Sequence, residues 1–277
     1  MAIHLAPNDN ADPMSRLPVL MAGAGAMGGA LIAGWRRAGS DVADGLMIRD
    51  PKPGPDALAA VEAGAILDPS DAEIARARTV IFAVKPQIWR TVAAELAPKL
   101  GGQAAIVSVA AGIGADDIRA AFGGRATARV MPTLAAAIGQ GSFSLFAEDA
   151  TLADEVASLF ECLGAVVRLT REDEMHAATA ASGSGPAYLY AFIEALEAAA
   201  VDAGLPPGDA ARMVRATVCG AAALLAQSTD DPAELRRRVT SPGGTTEAAL
   251  KVLMPGLDPL LREAVAAATA RSRELGG

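Results

Sequence analysis

Leu17-Pro18-Val19-Leu20-Met21-Ala22 runs directly into Gly23-Ala24-Gly25-Ala26-Met27-Gly28, and the apolar stretch 29–38 follows without a break. The first six residues have the length and composition of a buried strand, and the stretch after the glycines has those of a helix. The glycines therefore sit at a strand-to-helix turn, the setting in which G-x-G-x-x-G binds a dinucleotide. Gly23 permits the tight turn, Gly25 lets a pyrophosphate approach the backbone, and Gly28 lets the helix pack closely on the strand. The loop residues Ala26 and Met27 belong to the same cofactor cradle, at the positive end of the helix. Residues 17–35 carry no charge and follow Arg16, which is also how a secretory signal or membrane anchor begins. Five glycines and a proline argue against that alternative, because an anchor wants one unbroken apolar helix.

A second strand is expected over 46–48, and it ends in Arg49-Asp50-Pro51-Lys52. Asp50 follows Gly28 by 22 residues, close to the roughly 20 expected of a ribose-binding acid. Asp50 favours NADH through the ribose 2′-hydroxyl, whereas Arg49 and Lys52 favour NADPH by clamping a 2′-phosphate. NADPH is the expected cofactor, with NADH left open. Further strands are expected over 79–84, 104–109 and 126–130, with helices over 87–100 and 115–122. This β-α-β-α order predicts a parallel, doubly wound sheet covered on both faces. Val84-Lys85-Pro86, the loop through Ala110 and Ala111 to Gly112, and Arg129-Val130-Met131-Pro132 would all emerge at the carboxyl edge, where open α/β folds bind ligands. Val84, Lys85, Pro86, Ala110 and Met131 are accordingly expected near the cofactor. For Lys85 and Arg129 the alternative is an ordinary polar strand end.

Beyond Leu169 the strand pattern stops. Helices are expected over 172–181, 186–203, 207–227 and 232–239, with two more to the end of the chain. The expected division is a disordered, Pro/Asn/Asp-rich leader at 1–15, a Rossmann-type domain at 16–169 and an all-helical domain at 170–277. Asp231-Pro232-Ala233-Glu234 has the N-cap, first-turn proline and acid of a helix start. That helix leads into Val239-Thr240-Ser241-Pro242-Gly243-Gly244-Thr245-Thr246-Glu247. Two glycines between hydroxyl side chains at a loop entering a helix can grip a small carboxylate through Ser241, Gly243, Gly244, Thr245 and Thr246. The competing reading is a plain Pro-Gly turn before a Thr-capped helix. The uncharged run 175–193 is interrupted by Ser182-Gly183-Ser184-Gly185-Pro186, which argues for buried helices and not a membrane span. Helices this apolar on several faces predict pairing with a second copy.

Hydrophobic residues make up 52% and aromatics 4%, so the core must be built from small aliphatic side chains. The net charge of −8 argues against nucleic acid or an anionic membrane as a partner, and Arg236-Arg237-Arg238 reads as a solvated helix face. Cys162 and Cys219 lack metal-ligand spacing, so buried thiols in a reducing, cytoplasmic setting are expected and no metal site. His176 reads as a structural or surface histidine.

With these residues in view, the chain resembles the pyrroline-5-carboxylate reductases. The resemblance rests on Gly23 to Gly28, Ala83-Val84-Lys85-Pro86, Ser108-Val109-Ala110-Ala111-Gly112, Ser182-Gly183-Ser184-Gly185-Pro186-Ala187-Tyr188 and Ser241-Pro242-Gly243-Gly244-Thr245-Thr246, in that order along nearly the whole chain. It implies an NAD(P)H-binding Rossmann-type domain, a helical domain that interlocks into a homodimer and often a larger ring of dimers, and reduction of 1-pyrroline-5-carboxylate to L-proline. It also implies that Thr246 bonds the ring nitrogen and acts as the catalytic residue, with the substrate carboxylate on the N–H groups of Gly244 and Thr245. A cyclic imine is readily protonated in water, so the hydride step calls for positioning more than for a strong general acid.

One segment departs from the family pattern. After Pro132 the family usually continues Asn-Thr-Pro, and here the chain reads Thr133-Leu134-Ala135. That departure motivates an alternative, a reductase of another small cyclic imine or oxo/hydroxy carboxylate on the same scaffold. A non-catalytic NAD(P)-binding sensor is the alternative from a different class.

Overall fold

A computed structural model of the chain describes residues 16–276, so the leader expected over 1–15, with His4, lies outside the described residues. Strands β1 (Val19–Ala22), β2 (Met47–Arg49), β3 (Ile66–Leu67), β4 (Thr79–Phe82), β5 (Ala105–Ser108), β6 (Thr127–Met131), β7 (Gly141–Ala147) and β8 (Gly164–Arg168) form one sheet. Its order is β3-β2-β1-β4-β5-β6-β7-β8. β1 is buried along its length because successive side chains feed opposite cores: Val19 and Met21 join one apolar cluster, Leu20 and Ala22 the other. Helices α1 (Ala26–Ala38), α2 (Pro55–Glu62) and α6 (Ala150–Phe160) seal the first face through Leu31, Trp35, Ala57 and Phe160. Helices α3 (Asp71–Ile74), α4 (Trp89–Leu96) and α5 (Ala115–Ala121) seal the second through Ile74, Leu96 and Ile118. Trp35 keeps its indole N–H satisfied inside the core by donating to the Leu159 carbonyl at 2.7 Å.

The expected alternation fails beyond β6. β7 lies antiparallel to β6, and β8 parallel to β7. Residues 132–140 are too few for a crossover helix, so the chain turns through a 3-10 segment (Leu134–Ile138) and a left-handed Gly139 and comes straight back. Three strands, β3, β7 and β8, are absent from the sequence expectation.

The described chain divides into two compact units between residues 183 and 184, and the turns from 268 onward pack with the strand-bearing unit. Helix α7 (Glu174–Ala178) and a π-helical turn (Thr179–Gly183) thus belong with the strands, beyond the expected boundary at 169/170. The reason is apolar: Met175 is buried with Ala115, Met131 and Phe146. The other unit holds α8 (Gly185–Asp202), α9 (Pro207–Gln227), α10 (Pro232–Arg238) and most of α11 (Thr245–Gly276). Where two final helices were expected, α11 is one helix with Pro255 and Pro259 inside it. The surface around them is exposed, so water can satisfy the carbonyls that the two missing N–H groups leave free. Both thiols are exposed, against the expectation of burial: Cys162 lies on a 3-10 turn that buries Leu163 instead, and Cys219 on a face of α9 that this chain leaves bare.

Candidate cofactor and substrate sites

At the carboxyl ends of β1, β2 and β4 the glycine loop is held from two sides. Gly23 adopts φ +95° and its N–H donates to the Arg49 carbonyl at 3.0 Å. A methyl group there would come within 2.7 Å of the Ala83 carbonyl oxygen, so the turn and the close packing both require glycine. Gly28 packs against the Gly23 carbonyl, which leaves no room for a side chain. Gly25 differs. Its φ of −68° suits any residue, and no described atom lies within 4 Å of where its Cβ would be. The protein alone has no use for glycine there; a ligand brought against the backbone does.

Gly25 is the N-cap of α1 and offers no side chain to the first turn, which contains no acid, while Arg36 and Arg37 sit in the last. The helix therefore presents open N–H groups, from Ala26 and Met27 on, and an uncompensated positive end. A cleft of about 230 Å³ opens at this point, lined by Ala24, Gly25, Ala26, Gly29, Lys52, Gly54, Pro55 and Asp56. These features fit a dinucleotide pyrophosphate. Asp56, Gly29 and Gly54 were not foreseen as lining residues, although Pro55-Asp56 is a recognisable helix start.

Asp50 sits beside the loop with both carboxylate oxygens turned to the backbone: one accepts the Ala24 N–H at 2.5 Å, the other the Lys52 N–H at 2.8 Å. Arg49 reaches Glu95 at 3.2 Å in an exposed pair, an interaction too weak to hold it from a phosphate. Val84 and exposed Lys85 and Pro86 follow β4, Ala110 follows β5 with its N–H on the Ser108 hydroxyl, and Met131 closes β6, so these residues share the carboxyl edge of the sheet with the glycine loop. A larger depression of about 430 Å³, with Arg76, Arg78 and Gln103, lies at the opposite, amino edge and contains none of the expected site residues.

Arg129 is not a free cation at that edge. Its side chain is buried in the sheet and pairs with Glu172 at 2.8 Å, and the same Glu172 oxygen accepts the Ala115 N–H at the head of α5. The pair ties β6 and the head of α5 to the segment that leads into α7. His176, also in this unit, meets the Ser272 hydroxyl at 3.0 Å. Burial, then the neighbouring Arg129 and Arg273, hold its proton affinity below the usual histidine value against the opposing pull of Asp173 and Glu172. The unfolded chain thus binds this proton more readily. The contribution to stability is present above the ordinary histidine pKa, about 6.5, and is lost as pH falls through the lower folded value. The thermal midpoint should drop on acidification from about pH 7 to about pH 5, and His176→Gln should flatten that part of the profile; an unchanged slope in the variant would assign the effect elsewhere.

The hydroxyl-rich loop lies in the helical unit. Pro242 and Gly243, the latter at φ +71°, form the middle of a turn closed by the Gly244 N–H on the Ser241 carbonyl at 3.0 Å. The Gly243 N–H goes to the Glu247 carboxylate at 2.6 Å. The expected carboxylate grip through the Gly244 N–H is therefore corrected: that donor closes the turn. The N–H groups of Thr245 and Thr246, at the head of α11, are the ones left open by helix geometry. Ser241 is exposed and Thr246 half-buried beside Glu247, whose role as a cap was not foreseen. The Thr133 hydroxyl, in the segment that departs from the family pattern, accepts the Ser142 N–H at 3.0 Å and ties the turn to β7.

A Pseudomonas aeruginosa pyrroline-5-carboxylate reductase is 38% identical to the chain over 95% of its length and 98% of the relative's. The chain belongs to the pyrroline-5-carboxylate reductase family. The family model for pyrroline-5-carboxylate reductase dimerisation matches residues 172–275, and the model for coenzyme F420-dependent NADP oxidoreductases matches residues 18–112. Among solved structures, a pyrroline-5-carboxylate reductase from Coxiella burnetii is similar with a TM-score of 0.85 and 30% identity over 94% of this chain and 98% of that one. The Plasmodium falciparum pyrroline carboxylate reductase with NADP bound aligns at a TM-score of 0.79 and 27% identity, covering 95% and 100%. As a member of this reductase family the chain is an oxidoreductase that uses a pyridine nucleotide. Among the described residues no helix is long and apolar enough to cross a membrane.

Proposed function

We propose that this enzyme reduces 1-pyrroline-5-carboxylate to L-proline with NADPH, in the cytoplasm, as a homodimer joined through its helical unit. The observation that carries the substrate assignment is the Ser241–Gly244 turn at the head of α11, with the Thr245 and Thr246 N–H groups open to a carboxylate. NADPH supplies a hydride to the imine carbon when bound, and the ring nitrogen takes its proton from water before the transfer, so the two electrons of the new C–H bond come from the nicotinamide alone. The chain's own work is to hold the reactants. Gly25, Ala26 and Met27 carry the pyrophosphate, and Arg49 and Lys52 flank the adenosine end. Thr245 and Thr246 hold the carboxylate, and the Thr246 hydroxyl bonds the ring nitrogen.

NADPH is favoured by the two cations at and just after the end of β2, and the dimer by α8, which has no buried residue in the single chain although it carries Leu189, Tyr190, Phe192 and Leu196. An apolar 18-residue helix left bare needs a partner surface, and a second copy supplies the matching one. Spectrophotometric oxidation of NADPH and NADH, each with 1-pyrroline-5-carboxylate and with the six-membered cyclic imine, tests the reading. Turnover of the five-membered ring with NADPH ahead is expected. Tight cofactor binding without turnover of that ring would sink the assignment, and light scattering reads the number of copies.

A further inference from the structure

We infer that Asp50 is a positioning residue for the pyrophosphate cradle, not the acceptor of the cofactor ribose, and that discrimination between cofactors falls to Arg49 and Lys52. The inference rests on the dinucleotide reading above. An acid about 20 residues past the glycine loop ordinarily receives the ribose hydroxyls. Here the carboxylate makes a bridge inside the protein: one oxygen holds the Ala24 N–H at 2.5 Å, the other the Lys52 N–H at 2.8 Å. Ala24 lies between Gly23, whose own N–H is bound to the Arg49 carbonyl at 3.0 Å, and Gly25, the N-cap of α1.

The first two amides of the loop are thus fastened to the end of β2, one by backbone and one by Asp50. The donors from Gly25 onward are left to face the ligand in a fixed register. The bridge has a second effect. Both carboxylate oxygens are taken up by backbone N–H groups, so the acid that would repel a 2′-phosphate is turned toward the loop. Lys52 is held by the same bridge through its backbone, which places this residue in the lining of the cleft.

The two roles separate by ligand. A ribose acceptor matters most for a cofactor with a free 2′-hydroxyl, whereas a cradle support matters equally for both. Calorimetric titration of the full chain with ADP-ribose and with its 2′-phosphorylated form reads this without catalysis, with kcat and KM for NADH and NADPH measured beside it. For Asp50→Ala both ligands should weaken by on the order of tenfold, as expected for losing charged hydrogen bonds, with their ratio held within about threefold. The loss should appear in KM for both cofactors, with kcat nearly kept. Asp50→Asn, which keeps one acceptor and the side chain's shape, should fall between and guards against a folding defect, checked by its thermal midpoint. Lys52→Ala should instead weaken the 2′-phosphorylated ligand selectively. Selective loss of ADP-ribose in the Asp50 variants, a gain for the 2′-phosphorylated ligand, or no change in either overturns the inference. A wild-type chain that binds neither ligand overturns the cofactor reading itself.

Discussion

Gly28→Ala is expected to abolish measurable NADPH binding and to lower the thermal midpoint at the same time. The added methyl group would overlap the Gly23 carbonyl oxygen, a backbone atom that cannot move aside as a side chain tip would. Either α1 lifts from β1 or the loop opens. Both responses spoil the cradle, since the donors sit on the first turn of that helix. Overpacking of this kind costs about 1–3 kcal/mol or more, a large share of a typical folding free energy. A misplacement of about 1 Å can by itself cost on the order of a hundredfold in activity.

Gly25→Ala is the informative contrast. Space and backbone conformation both admit a side chain there, so its thermal midpoint should stay near wild type while cofactor affinity falls on the order of a hundredfold. Calorimetric titration of the two variants beside their melting curves separates the effects. A Gly25→Ala protein that binds NADPH normally would refute the placement of the pyrophosphate at the head of α1.

Thr246→Ala is expected to lower kcat on the order of tens- to hundreds-fold with little change in cofactor KM. The hydroxyl is half-buried on the first turn of α11, and its proposed bond is to the ring nitrogen, where charge changes during reduction. The carboxylate should still be held by backbone N–H groups, which the substitution leaves in place, so substrate KM moves less than kcat. Thr246→Ser restores the hydroxyl and should recover most of the activity. Wild-type turnover in the alanine variant would remove Thr246 from the chemistry.

Much of the cofactor half was legible because its requirements are local. A strand buried on both faces reads as a continuous apolar run, and the three glycines answer to a turn, a ligand and a packing contact within six residues. What escaped was set by partners distant in sequence. β7 carries serines among its apolar residues and pairs antiparallel because too little chain precedes it for a crossover helix, and no residue inside it says so. β8 is half exposed and β3 only two residues long. Arg129 looked like a free cation at the cofactor edge, since its partner Glu172 is far along the chain. In the substrate loop the residue types were readable, but which amides remain open depends on the turn that Gly243 makes: the Gly244 N–H, expected on the carboxylate, closes that turn, and the Thr246 N–H, given no role from the sequence, stands open beside that of Thr245.

The strand order has a bearing on how the sheet is built as the chain emerges from a ribosome. β2 adds to one edge of β1 and β3 to β2; β4 then adds to the other edge of β1, and β5 through β8 each add to the strand made just before. Every strand after the first finds one of its neighbours already made. The first strand made is an interior one: β2 covers one of its edges, and the other stays open through β2 and β3 until β4 arrives, so the unpaired backbone that the nascent chain must keep from wrong partners lies on β1.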